Sequence, residues 1–196
     1  DNSKVIKVYN ANQFIDAIGP NRTVKLMNAI DLSEIDSTSG AHYRVEYRAY
    51  QGKVFSKEIT VTYLENLDIV GVDDYQVDIL TPYSGDYVLS FEDCNNIMIE
   101  NVNAGHWPDK GGCAGGVFKF KDCRNILINN SIMYGSGTIG IYAENVKNLK
   151  CDNSIIWGCT HGIMSLRNSR DIEFNNCRFN NNFSDYYSSV VISKCI

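Results

Sequence analysis

The segment Asn125-Ile126-Leu127-Ile128-Asn129-Asn130 decides the fold, because variants of it recur along the chain. Each copy reads asparagine, apolar, any residue, apolar, any residue, asparagine, with Asp171 replacing the first asparagine of the last copy. The four copies end at Asn101, Asn130, Asn153 and Asn176, which are 29, 23 and 23 residues apart. A period in the twenties with short alternating segments is typical of a solenoid whose repeats bury a shared core by stacking.

Three short strands make up each repeat. In the third repeat they are Ile141–Glu144, Leu149–Cys151 and Ser154–Trp157, and corners rich in asparagine and glycine separate them. The alternation within each strand has a period of two, which places one face inside and the other outside. A leucine-rich repeat would need a leucine consensus, whereas isoleucine, valine and asparagine dominate here. We therefore predict an all-β fold, a right-handed single-stranded parallel β-helix with three strands per coil.

The length of the chain suits one continuous core. With 196 residues, 44% of them hydrophobic, we predict a single domain over residues 1–196. Residues 1–30 are expected to form an N-terminal cap and the first strand, with an amphipathic helix over Asn12–Ile18 that closes the end of the core. Residues 64–196 are expected to form the regular coils. The segment His42–Val61 is off the period, and is interpreted as irregular early coils or as a hairpin excursion.

Composition and charge exclude some classes of partner. The formal net charge is -5 and the basic residues are scattered, so no basic stripe is available to neutralise a row of phosphates. Nucleic acid is therefore not an expected partner. No apolar run approaches the roughly 18 residues that a membrane-spanning helix requires, and no membrane span is predicted.

The seven cysteines are odd in number and include no CxxC pair, which argues against a zinc ribbon or a thioredoxin-like site. Cys94 and Cys123 share a column, either as buried thiols or as a disulfide between neighbouring coils. A Cys113–Cys159 disulfide is a further alternative. A zinc site is another, with ligands from loops that could converge: His106, Cys113, Cys159 and His161. Disulfides would favour an exported protein, and thiols a reducing compartment.

Residues one repeat apart become neighbours in a sheet, because parallel strands stack about 4.8 Å apart. Two columns of first-strand residues then lie on the outer face: Ser90, Lys119, Tyr142 and Ser165, and next to them Glu92, Lys121, Glu144 and Arg167. The second column alternates in the sign of its charge, as expected for cross-strand pairs that fix the register. Asp93 and Asp122, beside Asn145 and Asn168, are interpreted as corner residues, with the start of a calcium site as the alternative.

The stacked asparagines after the second strand resemble the asparagine ladder of the pectate lyase-like superfamily. Asparagine tolerates the left-handed conformation of a sharp bend, and its amide can hydrogen-bond to the next coil. The resemblance covers about residues 64–196 and implies a groove formed by the first strands and the loops that precede them. It also implies a polysaccharide or glycan partner, and a secreted or cell-envelope location in a bacterium.

The loops before the first strands differ in length. The 29-residue repeat carries its six extra residues in Gly105–Gly116, and Trp157–Gly162 and Asn181–Tyr187 are the loops of later coils. Their aromatic and charged residues suit sugar rings, which have apolar faces and polar edges. The predicted substrate-binding residues are His106, Trp107, Asp109, Lys110, Lys119, Tyr142, His161 and Arg167.

Three hypotheses for function follow. The preferred one is a polysaccharide-recognition β-helix, non-catalytic or weakly catalytic, that binds through this loop face. The second is an enzyme: a lyase with Lys119, Lys121 or Arg167 as base and usually Ca²⁺, or a hydrolase with Asp109 and Glu144 as its carboxyl pair. The third is a structural solenoid whose partners are proteins or other modules and not carbohydrate. No cofactor or metal is predicted apart from the calcium of a lyase.

Overall fold

Three sheets wind around one hydrophobic core that extends from Val8 to Cys177. The computed structural model describes residues 4–72 and 75–182, together with the backbone of residues 190–193. Cys195 and residues 183–187 of the last predicted loop lie outside the described residues. The prediction of an all-β right-handed parallel β-helix is confirmed. No helix within the described ranges is both long and apolar enough to cross a membrane.

The N-terminal part contributes the first strands of the three sheets, one α-helix and one 3-10 helix. Its elements are β1 (Lys4–Val8), α1 (Ala11–Ala17), β2 (Arg22–Leu26), β3 (Ile30–Asp31), a 3-10 helix (Leu32–Glu34), β4 (Ser39–Gly40), β5 (Tyr43–Tyr50), β6 (Lys53–Thr62), β7 (Glu65–Val70) and β8 (Val77–Thr81). Helix α1 starts one residue before the predicted Asn12, because the Asn10 side chain caps it by accepting the Gln13 N–H at 2.9 Å. Phe14 and Ile15 are buried against the first strands, so the helix covers that end of the core.

The regular coils follow with three strands each. They are β9 (Leu89–Glu92), β10 (Asn95–Glu100), β11 (Val102–His106), β12 (Phe118–Lys121), β13 (Arg124–Asn129), β14 (Ile132–Tyr134), β15 (Ile139–Glu144), β16 (Lys147–Asp152), β17 (Ile155–Trp157), β18 (Gly162–Arg167), β19 (Arg170–Asn175), β20 (Arg178–Asn180) and β21 (Val190–Ser193). Sheet A contains β1, β2, β7, β10, β13, β16, β19 and β21 in that order, and sheet B contains β3, β8, β11, β14, β17 and β20. Sheet C contains β4, β5, β6, β9, β12, β15 and β18. All described pairs are parallel except β4 with β5 and β5 with β6.

The off-period segment is a hairpin, which settles the two alternatives left open by the sequence. Strands β5 and β6 pair antiparallel, and β6 then pairs parallel with β9, with Thr60 opposite Ser90. Gln51 and Gly52 form the turn with positive φ angles of 49° and 77°, as a tight two-residue hairpin turn requires. The base of the hairpin is therefore part of sheet C and of the core, whereas its turn extends beyond the coils.

The corners between strands depend on residues that tolerate positive φ. At the corner between sheets A and B, Asn101, Asn130, Asn153 and Asn176 have φ values of 56°, 44°, 52° and 52°. Asn130 donates its side-chain N–H to Asn101 at 2.7 Å, and Asn176 donates to Asn153 at 2.8 Å. Asn153, however, donates to Asn129 at 3.0 Å. The hydrogen-bonded column therefore has an interruption between the Asn130 and Asn153 coils.

A second corner, between sheets C and A, uses the stacked carboxylates and amides that the sequence singled out. Asp93, Asp122, Asn145 and Asn168 all have φ values between 49° and 55°. Asn145 donates to the Asp122 carboxylate at 2.8 Å, which joins two neighbouring coils. The left-handed conformations and this hydrogen bond between coils are what the interpretation as corner residues predicts. Within the described residues, no group of three or more His, Cys, Asp or Glu side chains that could hold a metal ion is present.

The core consists of side chains that stack along the solenoid axis. Phe91 and Phe120 are stacked with ring centroids 5.1 Å apart. Five of the six described cysteines are buried, Cys113 is exposed, and none of the six forms a disulfide. The Cys94 thiol donates to the carbonyl oxygen of Val61 at 3.6 Å, and the Cys123 thiol donates to that of Phe91 at 3.5 Å. The Cys113–Cys159 disulfide is wrong, because Cys159 is fully buried and Cys113 lies on the surface.

Candidate functional site

The outer face of sheet C carries the two columns predicted from the repeat spacing. Strand pairing places Lys119 opposite Ser90 and Tyr142, and Lys121 opposite Glu92 and Glu144. The next pair places Arg167 opposite Glu144. The predicted register is therefore confirmed across four strands. Because each of these side chains alternates with a buried neighbour, the columns form the floor of a surface groove.

The hairpin forms one wall of this groove. Its Arg44 side chain makes a salt bridge with Glu92 on the floor. The Arg44 guanidinium donates to Glu92 at 2.6 Å, and the Lys121 ammonium lies 3.3 Å from the other Glu92 oxygen. The hydrogen bond from Arg44 lowers the pKa of Glu92, and the pKa of Arg44 is raised in return. A cavity of about 230 Å³ lies here, lined by Arg44, Thr60, Ser90, Phe91, Glu92, Lys119 and Lys121.

A second carboxyl group enters the groove from β6 and has the opposite character. Glu58 accepts a hydrogen bond from the Ser90 hydroxyl at 3.1 Å. Burial raises the pKa of Glu58, although the nearby Lys119 opposes the shift. The pKa values of the two carboxyl groups in this groove are thus shifted in opposite directions: the hydrogen bond from Arg44 lowers that of Glu92, and burial raises that of Glu58.

Two tyrosine side chains lie beside the cations of the groove floor. Tyr87 and Tyr142 meet edge to face with ring centroids 6.3 Å apart. The Lys119 ammonium lies 5.6 Å from the centre of the Tyr87 ring, and the Arg167 guanidinium 6.0 Å from that of Tyr142. The Tyr142 hydroxyl donates to Glu144 at 2.5 Å. Burial raises the pKa of Tyr87 to about 12, so this side chain remains a neutral phenol at ordinary pH.

The loop Gly105–Gly116 does not place all its predicted site residues at the surface. His106 is buried, with 3% of its surface exposed, and its Nε2–H donates to the carbonyl oxygen of Asp86 at 2.9 Å. Trp107 is 61% exposed, and Asp109 and Lys110 are exposed as well. His161 lies at the surface with its Nδ1 donating to the Gly137 carbonyl at 3.1 Å. His106 therefore presents no open face to solvent.

A second cavity, of about 220 Å³, lies at the corner between sheets B and C. It is lined by His106, Pro108, Lys110, Tyr134, Gly135, Trp157 and Gly158. Tyr134 and Trp157 occupy the same register position of β14 and β17, and their rings stack 5.4 Å apart at an angle of 10°. Among the residues that the structure describes, this corner cavity and the groove cavity have no lining residue in common. The single loop face predicted from the sequence is therefore divided into two.

The sequence model of the right-handed β-helix region matches residues 65–196, which is more than half of the chain. The chain belongs to the right-handed β-helix family. No characterised protein sequence matches this β-helix significantly.

Among solved structures, the chain is similar to a pectate lyase from Paenibacillus sp. 0602, with a TM-score of 0.61 and 16% identity over 80% of this chain and 38% of that one. It is similar to a pectate lyase from Bacillus sp. N165 in complex with trigalacturonate, with a TM-score of 0.64 and 12% identity over 92% of this chain and 57% of that one. A proposed glycosyl hydrolase from Parabacteroides merdae has a TM-score of 0.59 and 10% identity over 96% of both chains. At these identities the likeness concerns the fold, and this β-helix spans less than two thirds of either lyase.

The structure separates two residue sets that the sequence grouped together. Asp109 lies on the loop beside the corner cavity, whereas Glu144 lies on the groove floor, so the carboxyl pair suggested for a hydrolase is divided between two surfaces. The suggested zinc ligands His106, Cys113, Cys159 and His161 do not form a metal-binding group. Cys159 and His106 are buried, while the other two lie at the surface.

The sequence analysis missed three groove residues. Arg44 and Glu58 come from the hairpin, whose two antiparallel strands could not be aligned with the period of the coils. The signal that could have found them is the pair of alternating segments on either side of Gln51-Gly52, which is typical of a hairpin. Tyr87 precedes β9 by two residues and lacks an equivalent aromatic one repeat later, where Gly116 stands.

Proposed function

We propose that this β-helix binds an acidic polysaccharide along the groove of sheet C. The proposal rests on which cations of the groove form salt bridges and which do not. Lys119 and Arg167 lie over tyrosine rings and form no salt bridge within the described part of the chain, whereas Arg44 and Lys121 are both paired with Glu92. Two cations beside aromatic rings suit a sugar chain that carries carboxylates, because the rings contact its apolar faces and the cations pair with its anions.

The similarity to a pectate lyase that was solved with trigalacturonate supports the same class of ligand. A polysaccharide of this kind lies outside cells, so secretion or attachment to the cell envelope of a bacterium is part of the proposal. Binding without cleavage, or with weak cleavage, is the form that we propose first. It requires only the groove and its side chains.

Isothermal titration with oligogalacturonates of increasing length, with and without calcium, tests the proposal. Lys119→Ala should weaken binding by about tenfold or more, equivalent to about 1.4 kcal/mol. Lys150→Ala is the matched control, since Lys150 is an exposed lysine of sheet A that pairs with Glu173 at 3.5 Å. Equal affinities for the two variants would remove the groove from consideration. A wild-type protein that binds no glycan would favour the structural or protein-interaction solenoid.

Hydrolysis is a second candidate, supported by the two carboxyl groups of unlike pKa. Glycosidases combine a protonated carboxyl with an ionised one, and Glu58 and Glu92 have environments that favour these two states. Lyase chemistry with Lys121 or Arg167 as the base has less support, because the hydrogen bond and ion pair with Glu92 raise the pKa of Lys121 and an arginine stays protonated. Reducing-end release that Glu58→Gln abolishes without loss of binding would establish hydrolysis. Cleavage that persists in Glu58→Gln would assign the proton donor elsewhere.

A further inference from the structure

The corner cavity has an apolar wall that is built by strand register. Gly105, Tyr134 and Trp157 occupy equivalent positions of β11, β14 and β17. A Cβ atom at position 105 would overlap the Tyr134 ring, so glycine is what allows this ring to lie against the strand. Trp157 stacks on Tyr134 and is still 42% exposed. The two rings therefore offer a rigid aromatic surface to the cavity.

The opposite wall is the loop of the longer coil, and backbone hydrogen bonds hold it in place. The Gly111 N–H donates to the Gly135 carbonyl at 2.7 Å, and the Gly112 N–H donates to that of Ser84 at 2.5 Å. The loop passes so close to the next coil that a Cβ atom at Gly137 would overlap the carbonyl of Gly112. The cavity is thus preformed, with Pro108 and Lys110 facing the aromatic wall across it.

The polar groups of the cavity are few and one-sided. Lys110 is a cation, and among the described residues that line the cavity there is no carboxylate. His106 also lines the cavity, but its Nδ1 is buried beneath the loop near Gly111 and is not exposed to the cavity.

These features define a ligand with two complementary parts: an apolar face for the rings and a carboxylate for Lys110. A uronic acid ring has both. The volume of about 220 Å³ lies below the roughly 300–1,000 Å³ of pockets for drug-sized ligands, so it fits one ring rather than a chain. We propose that the corner cavity binds a single uronate residue, as a site separate from the groove of sheet C. This inference needs no sugar in the groove and stands independently of the proposed function.

The two tryptophans of the chain make the test direct. In Trp107→Phe, Trp157 is the only tryptophan, and it lies in the cavity wall, whereas Trp107 is not a lining residue. Titration of this variant with D-galacturonate should give a saturable change in tryptophan fluorescence. D-galactose, which lacks only the carboxylate, should bind about tenfold or more weakly. Adding Lys110→Ala should remove the preference for the acid.

Lys119→Ala in the same background separates this site from the groove. The fluorescence response should be unchanged in that variant even if the groove has lost its ligand. A response that Lys119→Ala abolishes would mean that the cavity is not a separate site. A response that is equal for galacturonate and galactose, or that is absent at millimolar ligand, would overturn the proposal. Because Lys110 and Trp107 are exposed, both substitutions leave the core intact.

Discussion

The regular coils and the hairpin both contribute side chains to the groove, but different interactions hold them in position. In the coils, each strand alternates buried and outward residues and repeats its neighbour, as in Phe118–Lys121. In the hairpin, Val45 and Ile59 are buried at the base, whereas Tyr50 and Phe55 near the turn are 71% and 52% exposed. The Asp86 carboxylate holds the hairpin by accepting the Ser56 hydroxyl at 2.7 Å and the Lys57 N–H at 2.6 Å. Stacking thus builds the floor of the groove, and a polar contact positions its wall.

Core truncation should show the largest difference between the two regions. Phe120→Ala removes a fully buried ring that stacks on Phe91, and we expect a loss of about 3–5 kcal/mol in the free energy of unfolding. Phe55→Ala, near the hairpin turn, should change it by no more than about 0.5 kcal/mol. Urea denaturation of both variants measures this. Similar losses would show that the outer hairpin is part of the core.

Breaking the polar contact should have an intermediate effect that is confined to the hairpin. Asp86→Ala leaves the Lys57 amide without its acceptor in a buried site, which costs about 1–3 kcal/mol. Hydrogen exchange should accelerate for the amides of β6 and remain slow for those of β13. Asp86→Asn, which retains an acceptor oxygen, should show a smaller change. Uniform acceleration across all sheets would contradict a hairpin positioned independently of the coils.

The smallest effect should be a pH dependence carried by Glu58. Because burial raises its pKa in the native state, its contribution to stability is complete below the ordinary glutamate pKa. It is lost as the pH rises through the native pKa. Glu58→Gln cannot ionise and does not lose this contribution. The free energy of unfolding of the variant, relative to that of the wild type, should therefore increase from about pH 4 to about pH 7. Urea midpoints at both pH values measure it, with Glu46→Gln, an exposed glutamate of the same hairpin, as the control.

Much of the coil region could be predicted, because the register follows from residue spacing alone. Lys121 and Glu144 are 23 residues apart and are paired, and so are Tyr134 and Trp157. The asparagine column was predicted less accurately, since either of the adjacent Asn129 and Asn130 can accept from the next coil and Asn153 bonds to Asn129. The burial of His106 and the position of Arg44 depend on how a loop and a hairpin fold back onto the coils. Neither has a sequence period that fixes it.

The 23-residue coil also makes the length of this molecule adjustable. Residues 138–160 form one complete coil, which pairs in register with the next coil in all three sheets. Duplicating this segment between Thr160 and His161 would lengthen the body by about 4.8 Å. It would also add a further Tyr142–Glu144 unit to the floor of the groove. In an engineered series of such proteins, the length of the preferred oligosaccharide should increase with each added coil.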